Sequence, residues 1–302
     1  MAGDNSGFQY YHYDPTLVGA IIFVVLFVAT TSLHSYQFLQ TRTWFMIPMV
    51  VGGFFEWIGY IGRAISHTQT PNWTLGPYII QTLFLLVAPA LFAASIYMEL
   101  SRIILLADGE AHALIKKKWL TKIFVCGDIL SFCMQGAGGG IQSGGTASNL
   151  STGSHIITGG LFVQLLFFGC FIAVAVHFDL AMHRMPTSTS CTVPWRKHLI
   201  TLYVGSVLIM IRSIFRVVEY IQGFDGYILS HEAFLYIFDA VLMLAAMVIF
   251  NVVHPSEVTA LMNGGKKAKN GWKMERVVGW HQRVESDTSG VGIAEIPRSA
   301  NV

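Results

Sequence analysis

Seven long apolar stretches, separated by short polar connections, run along this chain at 16–39, 44–65, 78–106, 119–140, 156–183, 198–222 and 232–253. A helix needs roughly 20 mostly apolar residues to cross the hydrocarbon core of a bilayer, and each stretch meets that length. The predicted architecture is all-α: a polytopic integral membrane protein built as a seven-transmembrane-helix bundle. Pro48 and Pro89 fall inside two of the stretches. They are expected to kink those helices rather than end them, because bilayer helices tolerate proline.

Composition agrees with the pattern. The 302 residues are 53% hydrophobic and 12% charged, whereas about a quarter of a soluble chain is charged. Residues 1–15 carry no Lys or Arg and no short apolar core with a cleavage site, so the first helix is expected to direct insertion. Four cysteines, three of them in apolar stretches, form no disulfide framework or CxxC signature.

Charge gives an orientation, since positively charged flanks resist translocation. Sixteen of the nineteen Lys and Arg residues lie after span one, around the connections from span three to four and five to six, or in the tail. The N-terminus and the connections 66–77, 141–155 and 223–231 contain none. The amino end is therefore expected outside and the tail in the cytoplasm. Two N-x-S/T sequons, at Asn72 and Asn149, fall in connections assigned outside and are glycosylation candidates. The chain divides into an extracellular N-terminus, 1–15, the seven-helix domain, 16–255, and a cytoplasmic tail, 256–302. From Met262 onward the tail turns basic and then Ser-, Thr- and Gly-rich, and is expected to be largely disordered.

Three basic residues remain, Arg63, Arg212 and Arg216, all inside spans, with Glu56, Asp128, Glu219 and Asp239. At about 1.5 Å of rise per residue, Glu56, Asp128 and Arg212 fall near mid-membrane. By the same rise Asp239 and Arg216 lie roughly 5 to 10 Å outward, and Arg63 and Glu219 near the outer interface. Residues at i, i+4 and i+7 share a helix face. Arg212, Arg216 and Glu219 fit that spacing in span six, and Glu56, Tyr60 and Arg63 fit it in span two. A charge at the helix centre costs about 2.5 to 3.5 kcal/mol on insertion scales, so these stripes are expected to face the bundle interior. Glu56, Asp128 and Asp239 are expected to neutralise Arg212 and Arg216. Two readings of the band stand side by side: ion pairs that fix helix register, and a hydrated cavity that binds a polar head group. Arginines suit a phosphate or carboxylate there, and the acids an amine.

The glycines of 135–149 permit close helix approach or an unwound end near that cavity, beside Gln135. The stretch is not a phosphate-cradling loop, because GxxxxGK[ST] is absent from the chain. His34, His177 and His254 map toward the cytoplasmic ends of spans one, five and seven, near Asp179. Such a set is a weak candidate for a catalytic zinc, with no tight ligand spacing.

These residues together resemble the fungal lipid-translocating exporter family, the RTA-like proteins named for aminocholesterol resistance. The most specific piece is Glu56-Trp57-Ile58-Gly59-Tyr60-Ile61-Gly62-Arg63. Further matches are Pro77-Tyr78-Ile79-Ile80-Gln81, Ala88-Pro89-Ala90, Gly127-Asp128, Ser131-Phe132, Gln135, Arg212, Phe215-Arg216, Glu219, Glu232, Tyr236, Asp239 and His254-Pro255. Gly19 stands where the family pattern has Asn, and Ser101 where Gly is frequent. The resemblance implies a plasma-membrane or endomembrane protein concerned with export or transbilayer movement of amphiphiles, including sphingoid bases, and with resistance to toxic ones.

Three function classes follow. The first is a transporter, not an enzyme and without a cofactor, whose partners are membrane lipids and an amphiphilic small molecule rather than nucleic acid. Its polar cavity would comprise Glu56, Tyr60, Arg63, Asp128, Gln135, Arg212, Arg216, Glu219 and Asp239. The second is a seven-helix receptor or regulator of lipid asymmetry. The third is a zinc-dependent lipid hydrolase. A retinal protein is disfavoured because span seven has no lysine for a Schiff base.

Overall fold

The computed structural model describes residues 13–142, 146–223 and 226–262. Seven of its helical segments are long and apolar enough to cross a membrane, so the chain is an integral membrane protein. The first six spans are α1 (Leu17–Thr41), α2 (Ile47–Thr68), α3 (Leu75–Leu106), α4 (Lys117–Gln142), α5 (Ala147–Arg184) and α6 (Trp195–Gln222). The seventh is composite. Short α7 (Glu232–Leu235) runs into a π-helical stretch (Tyr236–Val241) and then α8 (Leu242–Val252). Large apolar residues such as Val18, Val25, Leu166 and Ile221 are mostly exposed, as a belt facing hydrocarbon must be.

Consecutive spans pack against one another, and α8 closes the ring against α1. α3 also meets α6, so these two helices carry the interior. The most extensive pairing, α4 with α5, depends on Gly138, where a Cβ would stand 2.7 Å from the Gly153 carbonyl. Close approach rather than unwinding is what this glycine provides, since α4 stays helical through Gln142. Residues 143–145 of the same glycine-rich stretch lie outside the described residues.

Several expected boundaries shift. Pro48 sits in the first turn of α2, where a proline's missing N–H costs nothing, so it starts that helix instead of kinking it. Pro89 does lie inside α3. α5 begins nine residues before the expected 156 because the Thr146 side chain caps it, accepting from the Asn149 amide. Asn149 is consequently helical and half-buried, while Asn72 is exposed between α2 and α3. Beyond residue 255 the chain forms a further helix, α9 (Ser256–Met262), with Ser256, Glu257 and Val258 buried and the helix packed on α3. The segments 1–12 and 263–302, which hold most of the expected N-terminal and tail domains, lie outside the described residues.

Candidate functional site

The charged positions of the sequence do not form one band; the fold distributes them over four places. The first is centred on Arg212 of α6, only 1% exposed. Its Nε donates to Asp239 Oδ1 at 2.7 Å and its Nη2 to the Leu85 carbonyl at 2.9 Å. That carbonyl is available because Pro89, four residues on, has no N–H to bond it. Asp239 belongs to the π-helical stretch, whose wider turn is often found at functional positions. Glu56 of α2 is buried beside this pair and interacts electrostatically with both partners. Neither of its carboxylate oxygens has a hydrogen-bond partner among the described residues, nor does Arg212 Nη1.

At the end of the bundle away from the lysine clusters, Arg63 of α2 is clasped by three elements. Its Nη2 donates to Glu232 Oε1 at 2.6 Å and to the Tyr13 hydroxyl at 2.9 Å. Its Nε donates to the Tyr236 hydroxyl at 3.2 Å, with the guanidinium 5.3 Å from that ring's centroid. Glu232 Oε1 also accepts from the Thr16 amide at 2.8 Å, so one carboxylate joins the start of α1, α2 and the seventh span. Gly19 makes room for this arrangement: a Cβ there would lie 2.6 Å from the Tyr236 ring. Tyr60 stacks at 5.6 Å on both Phe23 and Phe27; its ring is core packing between α1 and α2.

Arg216 and Glu219 form the third place. They pair with each other at 2.6 Å along α6, so Arg216 is neutralised by its own helix and not by Glu56 or Asp128 as expected. Together with Asp239 they line a partly enclosed cavity of about 110 Å³ at the same end as the Arg63 clasp. Tyr78 and Gln81 of α3 contribute further polar surface, and Phe215, Leu229 and Leu235 apolar surface. Arg212, Arg63, Glu56 and Tyr60 do not reach this lining. Asp128 and Gln135 of α4 occupy a fourth, separate place, a cleft between α3, α4 and α5 that shares no lining residue with the first cavity.

The candidate zinc ligands do not converge. His34 and His254 lie with ring centroids 6.2 Å apart, His34 Nε2 bonded to the Met247 carbonyl and His254 Nδ1 to Ser256 Oγ. His177 is exposed on α5, and Asp179 pairs with His183 of its own helix at 3.2 Å. Among the described residues no group of three or more His, Cys, Asp or Glu could hold a metal ion. The basic end does gather a cluster the sequence reading overlooked. His198 Nε2 lies 3.3 Å from Glu257, His198 Nδ1 lies 3.9 Å from Glu99, and Lys197 donates to Glu257 at 2.9 Å. The adjacent basic pair and the position of Glu257 just past an apolar span were the available signals. Glu232 and Tyr236, also absent from the expected cavity set, stood among the family-like motifs.

The RTA1 like protein family model matches residues 49–262. Three relatives from Saccharomyces cerevisiae place the likeness. Protoporphyrin uptake protein 1 is 40% identical over 288 residues, covering 83% of this chain and 94% of its own. Protein RTM1 is 37% identical over 294 residues, with the same coverage of each. Sphingoid long-chain base transporter RSB1 is 26% identical over 289 residues, 84% of this chain and 75% of its own. No solved structure matches the chain. The match spans α2 through α9 and takes in every charged pair described above, and on that basis the chain belongs to the RTA1-like protein family.

Proposed function

We propose that this protein moves amphiphiles across the membrane, with the head group received by the cavity of Arg216, Glu219 and Asp239 while the tail remains in hydrocarbon. The observation that carries this reading is the form of that cavity. It is a partly enclosed space of about 110 Å³ that sets an ion pair beside apolar walls. An ion pair facing a cavity offers both signs of charge to a ligand, so a zwitterionic or amino-alcohol head finds a partner for each group. The name of the sphingoid-base transporter relative supports a sphingoid-base-like cargo and a transporter rather than an enzyme. We read the basic end as cytoplasmic from the lysine-rich loops and the positive-inside tendency, with the amino end and the cavity outward and the plasma membrane as the proposed location.

Purified protein in liposomes tests the reading directly, with transbilayer movement of a labelled sphingoid base and a labelled phospholipid followed beside Arg216→Gln. Movement by the wild-type protein that falls at least tenfold in the variant, with the fold retained, supports transport through this cavity. No movement of either lipid, with or without a proton gradient, sinks it and favours a receptor or regulator of lipid asymmetry.

A further inference from the structure

Asp128 presents a different problem from the buried acids that are held in ion pairs. It lies eleven residues into α4, about 16 Å from Lys117 at the helical rise, which is roughly halfway through a 30 Å hydrocarbon core. It is 6% exposed, and no Lys, Arg or His among the described residues forms an ion pair with it. Asp239, Glu219, Glu232 and Glu257 each have such a partner. The Tyr97 hydroxyl of α3 approaches the Asp128 carboxylate, yet a carboxylate has about four acceptor sites, so one phenol leaves most of its capacity open.

Around Asp128 the fold leaves a cleft of about 130 Å³ between α3, α4 and α5. On α3, Ala90 and Ala94 leave it open between Leu86, Val87 and Leu91, and Phe132 flanks it on α4. Gln135 and Gln164 supply the remaining polar lining. Gln135 Nε2 is committed to Ser131 Oγ at 2.7 Å and Gln164 Oε1 at 3.3 Å, whereas Gln135 Oε1 has no hydrogen-bond partner among the described residues. The only ionisable lining group of the cleft is an acid, and the Gln135 amide oxygen adds a further acceptor beside it. Ile129 and Phe132 at its edge are exposed on the outer surface of the bundle, so the cleft opens sideways, toward lipid.

We infer that this cleft is a second binding site, entered laterally from the bilayer, for the ammonium head of a single-chain amphiphile. A cation with hydrogen-bond donors is the ligand that satisfies an unpaired mid-membrane carboxylate and an unpaired amide oxygen together. The walls are otherwise largely apolar, as an alkyl chain requires. The inference rests on the amphiphile reading proposed above and adds a station that the outward cavity does not provide.

Equilibrium photolabelling of the full chain in lipid nanodiscs tests the site without requiring transport. The probes are a long-chain primary amine, the alcohol of equal length and the fatty acid of equal length, each with a photoreactive group in the tail. The expected result is labelling of α3 and α4 peptides by the amine at least tenfold above the alcohol and the acid. Asp128→Asn should remove that preference, and Ala90→Phe, which leaves every polar group in place, should remove labelling altogether. Unchanged thermal unfolding of both variants confirms that they fold; where Asp128→Asn does not, Ala90→Phe and the probe comparison still decide the matter. Equal labelling by all three probes, or full amine labelling in either folded variant, overturns the site. Amine binding here without lipid movement would keep the site and sink the transport reading. Lipid movement with no amine preference would do the reverse.

Discussion

Arg212 is the residue on which the interior depends. Its guanidinium holds Asp239 and the Leu85 carbonyl, and Glu56 stands beside it. Removing one partner of a buried pair leaves an uncompensated charge and costs about 3–5 kcal/mol, whereas replacing both by apolar residues is often close to neutral. Arg212→Ala is therefore expected to lower the unfolding midpoint in detergent by a wide margin. Arg212→Met combined with Asp239→Leu should recover most of it, and failure of that recovery would mean that Glu56 needs the arginine as much as Asp239 does. The inward facing of Arg212 follows from helical spacing alone. Its bond to the Leu85 carbonyl does not follow from spacing, although Pro89 four residues later frees that acceptor, because an acceptor freed on one helix is useful only once another helix brings a donor to it.

At the scale of elements, two glycines make opposite predictions for one chemical change. A Cβ on Gly19 of α1 would press into the Tyr236 ring, which is held by stacking on Phe23 at 5.3 Å and by Arg63. Gly19→Ala should cost about 1–3 kcal/mol, the usual range for overpacking. Gly136, in the interior of α4, has nothing within 4 Å. Gly136→Ala should stabilise by about 0.5–1 kcal/mol through helix propensity, and thermal unfolding of the two variants side by side checks both signs. Helix α9 supplies another prediction. Glu257 ties it to Lys197 and His198 of α6, so Glu257→Ala should speed amide hydrogen exchange across 256–262 and leave the seven spans protected. Uniform protection in that variant would show that apolar packing of Val258 alone anchors the helix. None of this was legible beforehand, because a seven-residue helix has no periodicity to distinguish it from a tail.

For the whole molecule the basic loops imply a single orientation, which labelling can check in intact cells. In a cysteine-free background, Asn72→Cys should react with an impermeant maleimide from outside, whereas Cys191 alone should react only after permeabilisation. The reverse result would invert the proposed topology and turn the cavity of Arg216 toward the cytoplasm. Such a scan needs the background removed, since Cys126, Cys133, Cys170 and Cys191 are all exposed on the bundle surface.

Span number, approximate span limits and the inward facing of the charges were determined by the sequence alone, because a bilayer penalises every unsatisfied backbone group and every lipid-facing charge. Those are local costs, readable from hydropathy and helical spacing at each position. Which charges meet was decided only by the tertiary structure. Arg216 turned to Glu219 on its own helix, Arg63 to Glu232 of the seventh span, and Asp128 to a cleft of its own, because pairing depends on rotations and crossings of helices that no single span encodes. One band of charge in the sequence thus became an interior pair, a clasp at one end of the bundle, a cavity beside it and a separate cleft between α3, α4 and α5.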